Sequence, residues 1–490
     1  MIQFKKFKLA HSSEIFFVTP ARLTAGWPRM SIIGAILTIL LTLLAVLYNP
    51  AWTDEVFYVE PGASLAAGKG FLSNGWSELG HGTTWGLSNP GLPVLLAGWF
   101  KIFGFGQFSS HTFFFVAQLA GAILIVRWAQ ARHLIDGASS WVAVALCMML
   151  HSLAGNTIFH ARHDAFALLL FAWFLSYAFV NEPDWRSRLA AFIFGSACVF
   201  LGLQFCGYFS IAAAGLFLWR RTREDFMSGL CLALGLMAGI LILRWAYGQM
   251  GVWQVFLENR RENFGRAFQL DKFYASKDFL VLIPACVGLL LAEGFSGRGW
   301  RNKVAISGWF GLALLLGIPV LIQTIGLWQS PFSWMITVPL LLVILPICSK
   351  LSFVRGGWFV IVIGGLFLFS CFTRLRELPL AIKENERRKL AVTEFRRLAA
   401  SNEMALGSMS LYYDLRGSVR DVYWPYDKRL PAHPTIAKGV KWMVLAEVDS
   451  PILTGLLGGT WVQVYISDSS NPYASQGRYV ILRRDETTSQ

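Results

Sequence analysis

Charge is the scarcest thing in this sequence. Asp, Glu, Lys and Arg together make up 15% of 490 residues, against about a quarter in an ordinary soluble chain. Hydrophobic residues make up 55%, and the mean hydropathy is +0.50. That balance excludes a soluble globular protein and indicates a polytopic membrane protein. Other absences narrow the reading. The first thirty residues hold neither an h-region nor a small-residue cleavage site, so no cleaved signal peptide is expected and residues 31–48 serve as an uncleaved first span. No period of 20–50 residues and no low-complexity tract appears. No helix carries a His/Glu spacing for a metal, and no Gly-rich loop follows a strand to hold a nucleotide. All seven cysteines (Cys147, Cys198, Cys206, Cys231, Cys286, Cys348 and Cys371) fall inside apolar runs, and their spacings match no zinc site. A disulfide framework is therefore not expected.

What is present fits a bilayer. The 20 Trp and 39 Phe suit interfacial belts and lipid-facing walls. A net charge of +14 raises the question of nucleic acid. No basic segment has the interleaved aromatics or fold pattern of a nucleic-acid binder, whereas cytoplasmic loops and anionic lipid surfaces account for it.

The fold class expected is an α-helical polytopic membrane protein with a small C-terminal α/β soluble domain. Eleven spans are read, at roughly 31–48, 108–127, 139–155, 165–180, 189–205, 207–219, 226–245, 278–292, 303–322, 331–349 and 357–373. Several fall short of the ~20 residues of a perpendicular span. "NPGLPVLLAGWFKIFG" (89–104) is apolar but short and carries two prolines, so it reads as an interfacial or re-entrant element. Basic residues mark alternate connections: Lys5, Lys6, Lys8, Arg22 and Arg29; Arg127 and Arg132; Arg186 and Arg188; Arg220, Arg221 and Arg223; Arg298, Arg301 and Lys303; Lys350 and Arg355. The positive-inside rule puts these in the cytoplasm. Residues 1–30 become a basic cytoplasmic N-terminus and 31–373 a transmembrane domain with non-cytoplasmic loops at 49–107 and 247–277. The tail, 374–490, is then a non-cytoplasmic domain. In it "ENERRKLAVTEFRRLAA" spaces Leu390, Phe395 and Leu398 as a helix would. "KWMVLAEV", "TWVQVYIS" and "RYVILRR" read as strands.

Three clusters on the non-cytoplasmic side bear chemistry. Asp54 and Glu55 follow the first span directly. The plain reading is a solvated pair at a helix exit, but the apolar residues after them pin the pair near the interface, where a carboxylate can act as a general base. Arg162, His163 and Asp164 stand together at a helix start. There Asp164 either favours the helix dipole or lines a cavity with Arg162. The loop "ENRRENFGRAFQLDKFYASKD" carries Arg260, Arg261, Arg266, Lys272 and Lys277 against the positive-inside rule. It is either a solvated loop balanced by Glu258, Glu262 and Asp271 or a guanidinium site for a lipid phosphate or pyrophosphate. His81 in "ELGHGTTWGLSNPG" is a loop residue or a contact to a sugar or acid. With Tyr58, Asn89 and His163 it completes the candidate substrate contacts.

The order "TDEVFYVEPGASLAAGKGF", "SNPGLPVLLAGWFKIFG", "FHARHDAFALLLFAWFLSYAF" after a first span resembles the GT-C superfamily of polyprenyl-phosphate-sugar glycosyltransferases. It is similar above all to the protein mannosyltransferase and lipid A aminoarabinose transferase groups. The resemblance covers about residues 31–225 and rests beyond them on topology. Two positions depart from the pattern: Ser88–Asn89–Pro90–Gly91 replaces a basic or aromatic residue before the proline pair, and "SPFSWMITVPLLL" lacks an Arg-Tyr. The resemblance implies a lipid-phosphate sugar docking from the outer leaflet, its phosphate near Arg162, Arg260, Arg261, Arg266 or Lys272. Asp54 or Glu55 then activates an acceptor hydroxyl for single displacement with inversion, and Asp164 helps to shape the site. The implied partners are the polyprenyl-phosphate sugar, membrane lipids and a surface glycan, lipid or protein acceptor. The implied location is a bacterial inner membrane, with the site on the extracytoplasmic face. No cofactor is called for, and a divalent metal stays an open option. A transporter or flippase would place ionisable residues in mid-span and show an internal repeat, which this sequence does not. An O-antigen-ligase-like transferase would share the outer-face arginines, but the early Asp–Glu pair argues against it.

Overall fold

The computed structural model describes residues 29–48, 51, 53–72, 86, 89–131, 143–145, 147–148, 163–178, 184–220, 222–264, 357–419, 421–423, 438–467 and 478–485. The expected spans at 278–292, 303–322 and 331–349 lie outside the described residues, as does most of 139–155.

The N-terminal part is helical. Helix α1 (Arg29–Tyr48) is followed by α2 (Thr53–Ala66), α3 (Gly91–Phe103) and α4 (Gln107–Ala131). A short 3-10 turn (His163–Phe166) leads into α5 (Ala167–Ala178). Then come α6 (Trp185–Leu201), α7 (Leu203–Arg220), α8 (Arg223–Gln249) and α9 (Trp253–Phe264). Local chemistry sets several of these boundaries. Asp184 and Ser187 form a reciprocal capping box at the start of α6. Thr222 accepts from the Asp225 amide at the start of α8. Gly202 alone parts α6 from α7, so the expected break at residue 206 falls four residues earlier.

Two segments expected as loops are helical. The stretch 49–88 contains α2, whose Val56, Val59 and Ala63 are buried at helical spacing. Pro61 and Gly62 are poor helix formers and hide it in the sequence. The stretch 247–277 holds the end of α8 and the whole of α9.

Packing is close where glycine meets backbone. A Cβ on Gly235 of α8 would lie 1.9 Å from the Phe192 carbonyl oxygen of α6, and one on Gly195 of α6 2.4 Å from that of Leu232. Ser196 Oγ donates to the Gly235 carbonyl at 2.8 Å. Small residues and a hydroxyl bond across helices are how membrane helices associate, since lipid gives them no hydrophobic drive. Among the described residues, α4 and α8 are long and apolar enough to cross a membrane. The outer face of α8 exposes Phe226, Leu234, Met237, Leu241, Ile242 and Trp245. An apolar stripe of that length needs a bilayer to cover it.

The last helix, α10 (Gly357–Leu398), runs 42 residues without a break through the boundary expected at 373. It lies along α1 and ends on a mixed five-stranded sheet. That sheet comprises β1 (Met404–Gly407), β2 (Asp421–Tyr423), β3 (Trp442–Ala446), β4 (Trp461–Ile466) and β5 (Tyr479–Arg484), with short helices α11 (Tyr412–Leu415) and α12 (Ser450–Leu457). The order is β2-β1-β3-β5-β4; β1 runs parallel to β2 and β3, and β5 antiparallel to β3 and β4. One face packs Leu406, Met443, Leu445 and Leu482 against Leu453 and Leu457 of α12. The other packs Ala405, Trp442, Val444 and Ile481 toward Ala391, Val392 and Phe395 of α10. Of the residues spaced as a helix would place them, Phe395 is buried and Leu390 is 64% exposed; Arg388, Ala391 and Val392 are buried with Phe395.

Candidate functional site

Helix α2 organises the candidate site. Asp54 and Glu55 lie in its first turn. Glu55 is fully buried: its Oε1 lies 2.6 Å from His111 Nε2 of α4 and accepts the hydroxyl of Tyr413 from α11. Further along α2, Glu60 is also buried and accepts from the Tyr412 hydroxyl at 2.5 Å and from Arg416 Nε at 2.8 Å. Burial and the charges of Glu60 and Glu55 push the Tyr412 and Tyr413 phenols well above their ordinary range, so both remain donors. Burial draws the Arg416 guanidinium down, but Glu60 and Tyr412 more than offset it and hold it charged. The C-terminal unit is therefore fastened to α2 by hydrogen bonds from Tyr412, Tyr413 and Arg416 to the buried Glu60 and Glu55.

A second cluster forms where α2, α3, α6 and α9 meet. Arg260 of α9 donates through Nη2 to Asn89 Oδ1 at 3.1 Å. Asn89, just before α3, donates in turn to the Val199 carbonyl at 2.5 Å. The guanidinium stands over the Phe256 ring at 5.2 Å. Burial lowers its proton affinity, partly offset by the hydroxyls of Tyr58 and Tyr247. Its Nε is buried without a hydrogen-bond partner among the described residues. Such a donor suits an anion, because a guanidinium taken out of water needs its N–H groups matched.

Asn89, Arg260 and Tyr58, far apart in sequence, thus converge, and Tyr58 lies one turn after Asp54 on α2. Asp164 is 2% exposed at the start of the 3-10 turn. The next residues, Ala165 and Phe166, belong to the same apolar cluster as Val56, Val59, Tyr412 and Tyr413. Arg261 is exposed. His163 opens the 3-10 turn, while His81, Arg162, Arg266 and Lys272 lie outside the described residues. No set of three metal-ligating side chains converges among the described residues. Sequence reasoning passed over Glu60, His111, Tyr412, Tyr413 and Arg416. His111 and Glu60 did carry a signal, being ionisable groups set among apolar neighbours.

The cluster also has a definite position along the bundle. Val199, Leu243, Tyr247 and Val252 pack together at the C-terminal ends of α6 and α8. Arg186, Arg188 and Arg223 stand at the opposite ends of the same two helices.

No protein-family model matches the chain, and no curated protein matches it in sequence. Solved structures do match. ArnT from Cupriavidus metallidurans, in a crystal bound to undecaprenyl phosphate, is similar with a TM-score of 0.55 at 12% identity, over 93% of this chain and 98% of that one. The same protein in its apo state gives a TM-score of 0.50 at the same identity and coverage. The likeness is one of fold alone.

Proposed function

We propose, on the premise of that shared fold, that this chain is a membrane glycosyltransferase moving a sugar from a polyprenyl-phosphate donor to an acceptor hydroxyl on a surface glycan, lipid or protein. The observation that carries the reading is Arg260, a half-buried side chain oriented by Asn89, whose buried Nε is left over for an anion. A polyprenyl phosphate is such an anion, and ArnT, the fold relative, was crystallised with undecaprenyl phosphate.

In the proposed reaction Asp54 takes the proton of the acceptor hydroxyl. The hydroxyl oxygen attacks the anomeric carbon, and the bond from that carbon to the phosphate oxygen breaks on the opposite side, inverting the configuration. The lipid phosphate leaves with the electron pair and a growing negative charge, which Arg260 stabilises from a water-poor setting. Arg162, Arg261, Arg266 and Lys272 are further candidate phosphate contacts. Tyr58, His81, Asn89 and His163 are candidates for the sugar, and Asp164 for shaping the site. The geometry favours Asp54 over Glu55 as base, because the Glu55 carboxylate faces His111 and Tyr413 inside the protein. The site belongs, on this reading, to the extracytoplasmic face of a bacterial inner membrane.

Transfer assays with the purified chain in lipid and a polyprenyl-phosphate sugar test this. Asp54→Asn is expected to lower kcat by roughly 10²–10⁴, the usual share of a general base. Arg260→Ala is expected to weaken undecaprenyl phosphate binding by about tenfold or more, as losing a hydrogen bond to a charged group does. Unchanged lipid-phosphate binding by Arg260→Ala defeats the donor assignment. Normal turnover by Asp54→Asn defeats the base.

A further inference from the structure

His111 lies in the second turn of α4 and is 2% exposed. Its Nδ1 stands 2.6 Å from the Val46 carbonyl oxygen, and its Nε2 stands 2.6 Å from Oε1 of Glu55. A carbonyl oxygen can only accept, so Nδ1 carries the proton of the first bond. One further proton lies between Nε2 and the carboxylate. Tyr413 adds its hydroxyl as a second donor to the same Oε1. Glu55, His111 and Tyr413 are 0%, 2% and 8% exposed and come from α2, α4 and α11.

Val46 is in the last turn of α1, where carbonyls have no partner within the helix. Gln107, one turn before His111, donates to the Leu47 carbonyl at 2.9 Å and accepts from the buried Arg388 of α10 at 3.2 Å. The first two turns of α4 therefore cap α1, and the same side chains reach to α2 and to the C-terminal unit. With its shared proton the Glu55–His111 pair is neutral overall, so it adds no second negative charge beside Asp54.

We propose that Glu55, His111 and Tyr413 form a proton-sharing clasp through which α4 and the C-terminal unit fix the first turn of α2, making them positioning residues for Asp54. The proposal rests on the glycosyltransferase reading for its catalytic consequence, but its structural content stands apart from any activity. Glu55 is then a clamp and not a proton acceptor in the reaction, and the C-terminal unit completes the active site without lending it a reacting group.

Two measurements on the full chain in lipid nanodiscs test the clasp. The first is amide hydrogen exchange across 53–66. Glu55→Ala and Tyr413→Phe are expected to speed exchange in this helix, and wild-type exchange in Glu55→Ala overturns the proposal. The second is transfer kinetics. Glu55→Ala is expected to lower kcat by about a hundredfold at unchanged donor KM, the effect of an ångström-scale misplacement. Glu55→Gln keeps a hydrogen-bonding side chain of the same length and is expected to recover most of that loss. If Glu55→Gln is as inactive as Asp54→Asn while its exchange matches wild type, Glu55 does the chemistry itself and the clasp assignment is wrong. Normal turnover by Asp54→Asn would remove the base without touching the exchange result, so the two readings fail separately.

Discussion

Asp414 shows how tightly the residues around the clasp are held. It sits on α11 beside Tyr413, with Oδ2 buried and without a hydrogen-bond partner among the described residues. Burial raises its proton affinity above the ordinary carboxylate range, partly offset by Arg388, Lys389 and Arg396. A carboxyl whose folded-state affinity is raised binds more protons folded than unfolded. Its contribution to stability is thus full below the unfolded carboxylate range and is lost as pH rises through its folded pKa. Asp414→Asn removes that dependence. Its melting temperature is expected to exceed that of wild type at pH 8 and to approach it near pH 4, and a gap of the opposite sign at pH 8 rejects the assignment. At this scale the sequence was legible where neighbours in the chain were also neighbours in chemistry. Asp54 and Glu55 stood just after a span and Asp164 just before one, and Arg260 broke the positive-inside pattern. The clasp was not legible, because Glu55 and Tyr413 are 358 positions apart and no local motif links them. The junction of Tyr58, Asn89 and Arg260 was half legible: each residue stood out, but only folding brings them together.

Elements follow the same division between local and distant causes. Apolar runs announce α1, α4, α5 and α8 directly, since a long uncharged stretch has little choice but to be a buried or lipid-facing helix. Helix α2 escaped because its burial comes from α3 and the C-terminal unit, which override Pro61 and Gly62. Strands β1 and β2 escaped for a related reason, being four and three residues long and held in place by parallel pairing with distant partners. The α6–α8 contact shows what such tertiary control demands of a single position. A methyl group on Gly235 would meet the Phe192 carbonyl at 1.9 Å, and the backbone cannot rotate away as a side chain does. Gly235→Ala is therefore expected to cost about 1–3 kcal/mol, the usual penalty of an overpacked site. Gly98 of α3 has nothing within 4 Å of its would-be Cβ. Gly98→Ala is thus expected to be neutral or stabilising by up to about 1 kcal/mol. Thermal melting of the two purified variants compares them; equal melting temperatures mean that the α6–α8 approach is not the constraint inferred.

At the scale of the whole molecule, one helix shows how the parts are disposed across a membrane. With 42 residues, α10 is about 63 Å long at the usual helical rise, twice the roughly 30 Å of a hydrocarbon core. Its residues 357–373 are apolar, and the stretch after them carries Arg376, Lys383, Arg387, Arg388 and Arg396 and packs under the sheet. A bilayer around the apolar stretch leaves the rest of the helix and the sheet outside it. The clasp, in turn, puts that sheet against α2, and the Arg260 cluster lies at the ends of α6 and α8 remote from Arg186 and Arg223. If those arginines are cytoplasmic, as the positive-inside rule requires, the sheet and the site share the other face. Single cysteines in a chain otherwise cleared of cysteine test this. Val462 of β4 is 49% exposed, and Arg186 is exposed at the start of α6. A membrane-impermeant maleimide added to intact spheroplasts is expected to label Val462→Cys at once and Arg186→Cys only after the membrane is opened. The reverse pattern moves the site to the cytoplasmic face and removes the argument for a donor reaching it from the outer leaflet.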